Sequence, residues 1–408
     1  MKRFFFILAT TLLMSLNANA QIINNWRGPD RDGKYPETNL LKTWPDSIGP
    51  EMLWSYQGLS KGFTSAVVDN GKIYITGMEG ETGYLHILSE KGQFIKKIAY
   101  GSDVFSPSGY PGSRSSPTIA GNLCYIVSGF GKLVCIDTKA DKIVWSKDLF
   151  TDFDGKSIRF NFTENLLIDG KLLYVSPGGK VNNIVALDRF NGNLVWKSAG
   201  KGDLSAYCSP ILINSYGRKL LVNMMSLNTI AVDAATGELV WSYPYTNQTK
   251  ILPNSPIYQD NSIYIFSGYG EGSHRFKLYA DTTQPTNIWT NKKVDPQIGG
   301  AVLYNGYIYA SGDKNRKWFC VDWNTGEIKF ESTTLDKGTV IEADGLLYIY
   351  TEKGELALVE PLAGSFKVIS KFKIKLGADQ HWAHLVIKNG VLYVRHGTAL
   401  MAFNIKKK

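Results

Sequence analysis

Val232-Asp233-Ala234-Ala235-Thr236-Gly237-Glu238-Leu239-Val240-Trp241 decides the fold of this chain, because the stretch is copied. Ile136-Asp137 leads in the same way to Ile143-Val144-Trp145, and Leu187-Asp188 leads through Asn191-Gly192-Asn193-Leu194-Val195 to Trp196. Degenerate copies end at Trp289 and Phe330. Ahead of each lies an alternating apolar stretch, a Gly or Asn-Gly turn and a Tyr-containing strand, as in Gly170-Lys171-Leu172-Leu173-Tyr174 and Gly390-Val391-Leu392-Tyr393. The repeating unit is roughly 45 residues long and offers four short strands separated by turn signals. No long helical period interrupts it.

A single sheet of this kind cannot bury both of its faces, so successive sheets must stack around a ring, with the recurrent Trp wedged between neighbours. The units begin near Phe63, Arg114, Asn161, Ala206, Asn254, Gly299, Gly338 and His381, which makes eight. The prediction is an all-β chain, an eight-bladed β-propeller of four-stranded antiparallel blades. The last unit stops after its third strand, Leu400-Met401-Ala402-Phe403-Asn404. Its missing fourth strand lies at the other end of the chain, where Met52-Leu53-Trp54-Ser55-Tyr56 copies Leu239-Val240-Trp241-Ser242-Tyr243. The N-terminal strand near Trp54 is therefore expected to join the C-terminal blade and close the ring, which protects strand edges from stray pairing. Residues 51–408 then form one propeller domain. Residues 21–50, rich in Pro and Gly, are expected to wrap over the rim.

Of the 408 residues, 44% are apolar and 20% charged, which excludes disordered and fibrous classes and supplies a large core. Met1-Lys2-Arg3, the apolar run Phe4 to Leu16 and Asn17-Ala18-Asn19-Ala20 have the pattern of a cleaved signal peptide over residues 1–20. That run is too short to span a bilayer and nothing later approaches the required length, so no transmembrane anchor is expected. The chain reads as exported, periplasmic or secreted. No cysteine follows the cut, so lipoprotein anchoring is not expected either. Losing Lys2 and Arg3 lowers the formal charge from +9 by two, and the remaining cations are scattered, so nucleic acid is not expected as a partner. The four cysteines have no metal-ligand spacing. A hairpin turning at Gly129-Phe130 would set Cys124 opposite Cys135, as a disulfide or as two small buried residues.

The pattern Asp-x-x-Thr-Gly-x-x-x-Trp at Asp233 to Trp241 resembles the repeat of the pyrroloquinoline-quinone-like (quinoprotein-like) β-propeller family. Trp26-Arg27-Gly28-Pro29-Asp30-Arg31-Asp32-Gly33 resembles the start of a secreted bacterial branch of it. That family includes quinone-dependent dehydrogenases and a non-catalytic lipoprotein subunit of the outer-membrane barrel assembly machinery, so the resemblance implies a fold more than an activity. Its alcohol dehydrogenases use an adjacent Cys-Cys pair above the quinone, with Glu, Asn and Asp near calcium. This chain has no Cys-Cys, and Glu164-Asn165 is its only Glu-Asn pair. No cofactor is expected, with pyrroloquinoline quinone plus calcium as the alternative.

In a propeller, the loops leading into the first strands and those joining second to third strands gather on one face around the channel, where ligands usually sit. The repeat places Arg114, Glu164, Tyr207, Asn254, His381, Trp382 and His384 ahead of first strands. It places His274, Arg275, Lys314, Arg316, Arg395 and His396 in the second-to-third loops. His381-Trp382-Ala383-His384 lacks helical spacing and a clear third ligand, so no metal is expected. Trp145, Trp196, Trp241 and Trp289 are wedges at repeat spacing, whereas Trp382 lies outside that register and could stack on a ligand. A His with a Tyr or Arg could perform acid-base work on an acidic sugar. The leading expectation is a monomeric, non-catalytic binding or scaffold propeller of the cell envelope whose partner is an envelope protein or glycan. An enzyme, quinone-dependent or sugar-active, is the alternative.

Overall fold

The computed structural model describes residues 23–103, 110–280 and 284–407. The expected signal peptide lies outside them. Eight four-stranded antiparallel sheets are arranged as blades, each running from the channel outward in chain order. Blade 1 runs from Val67–Asp69 to Phe94–Ser102, blade 2 from Thr118–Ala120 to Lys142–Asp148, blade 3 from Leu167–Asp169 to Leu194–Ser198 and blade 4 from Ile211–Ser215 to Leu239–Pro244. Blade 5 runs from Ile257–Gln259 to Thr286–Asn291, blade 6 from Ala301–Tyr304 to Ile328–Ser332 and blade 7 from Gly338–Ala343 to Ser365–Lys373. Blade 8 has Val386–Lys388, Val391–His396 and Ala399–Asn404, and its outer strand is Met52–Tyr56. Trp54 pairs with Ala402 and Tyr56 with Leu400, so the N-terminal strand closes the ring as the sequence predicts. Among the described residues no helix is long and apolar enough to cross a membrane.

The repeated motif has a physical reason at each position. Asp233 accepts hydrogen bonds from the amides of Ala235 and Thr236 and from the Thr236 hydroxyl, which fixes the turn. Gly237 follows at φ +77°, and a Cβ there would lie 2.4 Å from the ring of Trp196, the wedge from the preceding blade. The Trp196 indole N–H donates to the carbonyl of Ala234 in the same turn. Trp145 docks in this way on Arg189 and Trp289 on Trp323. Trp54 does so on Glu90, carrying the contact across the seam between blades 8 and 1. All eight outer strands carry a register shift just before or at the wedge position. Such bulges twist and blunt an edge strand, which keeps eight exposed edges from pairing with other chains.

Two local expectations fail. The hairpin of blade 2 is centred on Phe130, so Cys135 pairs with Tyr125 and Cys124 with Ile136. That one-residue offset sends the two thiols to opposite faces of the sheet. Cys124 packs toward Val67 of blade 1 and Cys135 toward Leu173 of blade 3; both are free and buried, and no disulfide joins them. The second departure concerns the N-terminal segment. Rather than staying on the rim, Ile23–Asn24 pairs antiparallel with Thr118–Ala120, and Lys34–Tyr35 pairs parallel with the end of Gly338–Ala343. Both partners are first strands, so residues 23–35 rise into the channel beside blade 2, turn, and leave beside blade 7. Only the later part crosses a rim, on the face opposite the mouth. There Leu40 bridges Lys406, and Trp44 packs against Tyr348 and Phe372.

Candidate functional site at the channel mouth

Two residues ahead of most first strands stands a small polar residue, and these side chains form a belt around the mouth. The Ser65 amide donates to Ser116 Oγ at 3.0 Å, the Ser116 amide to Asn165 Oδ1 at 2.6 Å and the Asn165 amide to Ser209 Oγ at 2.9 Å. Ser255 Oγ donates to the Ser209 carbonyl, the Gly300 amide donates to Asn254 Oδ1, and Ser65 Oγ donates to the carbonyl of His384. His384 holds the belt position of blade 8. Asn254 is thus a belt residue, with its amide nitrogen donating to the Pro296 carbonyl.

The N-terminal turn plugs the channel beneath this belt. Arg31 is buried, and its guanidinium donates to the carbonyls of Asn165 and Pro210 at 2.9 Å and also to that of Leu166. Arg27 donates to the carbonyls of Ala301 and Val340 and to His384 Nδ1 at 2.8 Å, joining blades 6, 7 and 8. Burial lowers both guanidinium pKa values to about 10, which leaves both charged at neutral pH. The sequence carried a signal for the belt in the repeated Ser or Asn before each first strand. It carried none for the plug, whose partners are backbone carbonyls hundreds of residues away.

Above the plug lies a pocket of about 390 Å³. Trp26 is in its floor, and Phe63, Tyr110, Phe160, Tyr207 and Trp382 stand in its walls. The Trp382 ring is 5.0 Å from those of both Phe63 and Tyr110, so the tryptophan that stood outside the repeat register is a wall of the pocket. Arg114 lies 5.9 and 6.0 Å from the Phe63 and Phe160 ring centres, and its guanidinium donates to the carbonyls of Phe160 and Tyr110. Tyr207 sits at φ +72°, a strained conformation that turns its hydroxyl toward the Phe160 amide, from which it accepts. On the far wall, Lys337 is 2.6 Å from Asp313 and 3.4 Å from Glu352 and donates to Gln297.

Of the residues the sequence placed at the mouth, Arg114, Tyr207, Trp382 and His384 line this pocket; the others lie elsewhere. His384 Nδ1 accepts from Arg27 while Nε2 faces the Ile298 carbonyl, so the ring is neutral, and burial beside Arg27 pushes its pKa well down. His381 and His396 stack at 3.7 Å between ring centres, outside the pocket lining. His381 Nδ1 meets the Tyr350 hydroxyl, and both His396 nitrogens meet the carbonyls of Leu376 and Asp379. Arg395 and His396 are not in a loop but end the second strand of blade 8, Val391–His396, and Arg395 is buried against the carbonyls of Ser60 and Thr76. Lys314 and Arg316 sit in the turn between the second and third strands of blade 6, where Arg316 pairs with Asp336.

His274 and Arg275 are corrections. The second-to-third turn of blade 5 ends before Gly272, so both belong to the strand Gly272–Lys277. His274 packs between Tyr243 and Tyr245 of blade 4. Arg275 stacks on Trp323 of blade 6, 4.4 Å from the ring centre, and donates to its carbonyl. Glu164 is a third. It is buried below the mouth, where its carboxylate accepts from the amide and hydroxyl of Ser176, and burial raises its pKa to about 7 against the pull of Ser176 and Arg31. Its neighbour Asn165 is committed to Ser116 and Ser209. The Glu-Asn pair therefore points in two directions and does not make a calcium site for a quinone. Among the described residues no three His, Cys, Asp or Glu side chains converge as a metal set.

Comparison with known proteins places this arrangement. The family described as outer membrane protein assembly factor BamB matches residues 101–332. The outer membrane protein assembly factor BamB of Bordetella pertussis is 34% identical over 85 residues, which are 21% of this chain and 19% of that protein, about a fifth of each. The crystal structure of BamB from Moraxella catarrhalis superposes with a TM-score of 0.63 at 15% identity, covering 88% of this chain and 99% of that one. Quinohemoprotein alcohol dehydrogenase from Comamonas testosteroni gives a TM-score of 0.62 at 11% identity, covering 93% of this chain and 79% of that one. At such identities the two superpositions speak for the fold alone.

Proposed function

The chain belongs to the outer membrane protein assembly factor BamB family, and we propose that it acts in the cell envelope as a non-catalytic binding or scaffold propeller. Its channel mouth receives a segment of an envelope protein. One observation carries this reading. The ionisable side chains around the mouth are engaged in joining blades, while the aromatic faces above the plug are left open to a partner. His384 is tied to Arg27 and Ile298, Arg395 to carbonyls, and Lys337 to Asp313 and Glu352. A general base needs a lone pair aimed at a substrate, and these groups do not supply one. An aromatic pocket of this size suits an anchor side chain at the centre of a protein interface.

The signal-like first twenty residues support export. The quinone alternative asks for a cation site that Glu164 and Asn165 do not form. The test is site-specific photocrosslinking in the host cell. A photoreactive residue in place of Phe160, at the mouth, is expected to give a discrete adduct that mass spectrometry identifies as an envelope protein. The same residue in place of Asn305, on the opposite face, is expected to give none. Adducts from Asn305 alone would overturn the assignment of the face. A spectral change on adding pyrroloquinoline quinone with calcium would overturn the non-catalytic reading.

A further inference from the structure

We propose that the mouth pocket is built for one aromatic side chain presented beside a carboxylate, so that the segment it takes is an aromatic-acidic peptide. This rests on reading the mouth as the partner face and names the chemistry of what docks there. Three observations carry it.

The walls are aromatic from several directions. Phe63, Phe160 and Trp382 are each partly exposed into the pocket, with Trp26 beneath them, which offers a ring both edge and face contacts. The polar groups among these rings are already matched to one another. Tyr207 accepts from the Phe160 amide, Thr163 donates to the Tyr207 carbonyl, Ser209 accepts from Asn165, and Gln297 bridges Tyr269 and Lys337. A sugar needs several donors and acceptors for its hydroxyls, and this lining is poor in them.

Charge supplies the third observation. Lys337 is neutralised by Asp313 and Glu352, and His384 is neutral through its bond from Arg27. Arg114 has no carboxylate within ion-pair distance among the described residues and is held between Phe63 and Phe160 with only two bonds, both to carbonyls. Its guanidinium carries five donors, so several remain for an incoming carboxylate. Among the described residues Arg114 thus sets a positive charge without a carboxylate partner at the aromatic wall, across from a Lys337 group that holds two carboxylates to one ammonium.

Ligand-observed NMR titrations of the full chain test this, with Ac-Gly-Trp-Glu-NH2, Ac-Gly-Trp-Gln-NH2, Ac-Gly-Trp-Lys-NH2, Ac-Gly-Ala-Glu-NH2 and digalacturonate as probes. The Trp-Glu peptide should bind tightest, by about tenfold over Trp-Lys, the factor expected of one charge-assisted hydrogen bond. In Arg114→Gln the difference between the Glu and Gln peptides should vanish while both still bind, and Arg114→Lys should restore part of it. Trp382→Ala should weaken every Trp peptide. Equal affinities across the Trp series, a preference that survives Arg114→Gln, or tighter binding of Ala-Glu or digalacturonate would each overturn the proposal. If no peptide binds but crosslinks from Phe160 still trap an envelope protein, this inference fails and the partner face stands. If the peptides bind in the predicted order but crosslinks arise only from Asn305, the face reading fails and the pocket chemistry stands.

Discussion

Glu164 and His384 lie in the same ring and respond to pH with opposite sign. Burial raises the Glu164 carboxyl to about 7, above its ordinary value of 4.5, so the folded chain holds a proton that the unfolded chain has lost. That contribution to stability is full below pH 4.5 and disappears as pH rises through 7, a swing on the order of 3 kcal/mol. His384 is pushed well below 6.5, and His86 and His381 are lowered to about 4 by burial. Their contributions are present above pH 6.5 and are lost as the solution is acidified. The three histidines outnumber Glu164, so urea midpoints of the wild type should fall on acidification below pH 6.5, with Glu164 opposing part of that fall. In Glu164→Gln the midpoint should gain on the wild type as pH rises from 4.5 to 7, while the acid fall remains. A difference between variant and wild type that does not change with pH would show that Glu164 is ionised in the fold. Gly237 permits a cleaner comparison at the same scale. Gly217 has nearly the same backbone, φ +78°, but nothing within 4 Å of where a Cβ would stand. Gly217→Ala should cost about 1 kcal/mol of left-handed strain, whereas Gly237→Ala should cost several times that because the new methyl meets Trp196. Equal melting temperatures for the two variants would mean that the wedge contact contributes little.

At the scale of elements, legibility followed locality. The four strands of each blade, the Asp-bearing turns and the Trp wedges repeat every unit, so Asp233, Gly237 and Trp241 declare their roles by their copies. Closure by Met52–Tyr56 was legible for the same reason, since the strand copies Leu239–Tyr243. His274 and Arg275 were misplaced because a one-turn error in the Gly268–Gly272 hairpin moves a residue from a loop to a blade interface, and strand periodicity alone does not fix where a turn ends. The plug was illegible for a deeper reason. Trp26 to Gly33 is charged and turn-rich, which locally describes a solvated loop, and only the assembled ring of carbonyls can satisfy two buried guanidinium groups. The element is testable through Arg31. Arg31→Met keeps the bulk but removes the guanidinium donor from the carbonyls of Asn165 and Pro210 and leaves that of Leu166 to the Thr118 hydroxyl alone, a loss on the order of 3 kcal/mol. Amide exchange should rise in residues 164–167 and 209–211, where the plug stitches blade 3 to blade 4. Unchanged exchange there would show that the plug fills the channel without holding it.

For the whole molecule, the seam between blades 8 and 1 differs in kind from the other seven. Blades 3 and 4 are continuous in the chain, so weakening their contact still leaves them tethered side by side. Blade 8 meets blade 1 through an outer strand contributed by Met52–Tyr56, from which the chain passes directly into blade 1. Trp54 reinforces that seam through its bond to the Glu90 carbonyl, and it anchors the exchanged strand within blade 8 by packing against Tyr393 at 6.1 Å. In a ring whose stability is carried by neighbour contacts, cutting the one seam that depends on strand exchange turns a closed array into an open stack with frayed ends. Trp54→Ala and Trp196→Ala remove the same kind of indole from equivalent positions, so side-chain loss alone predicts similar effects. Closure predicts an asymmetry. Trp54→Ala should expose the strand Ala399–Asn404 to amide exchange at a free energy well below that of global unfolding, whereas Trp196→Ala should leave the corresponding strand Ile184–Asp188 exchanging with the whole molecule. Matching exchange in the two strands would mean that the ring is held by its eight contacts equally and that the N-terminal strand carries no special burden.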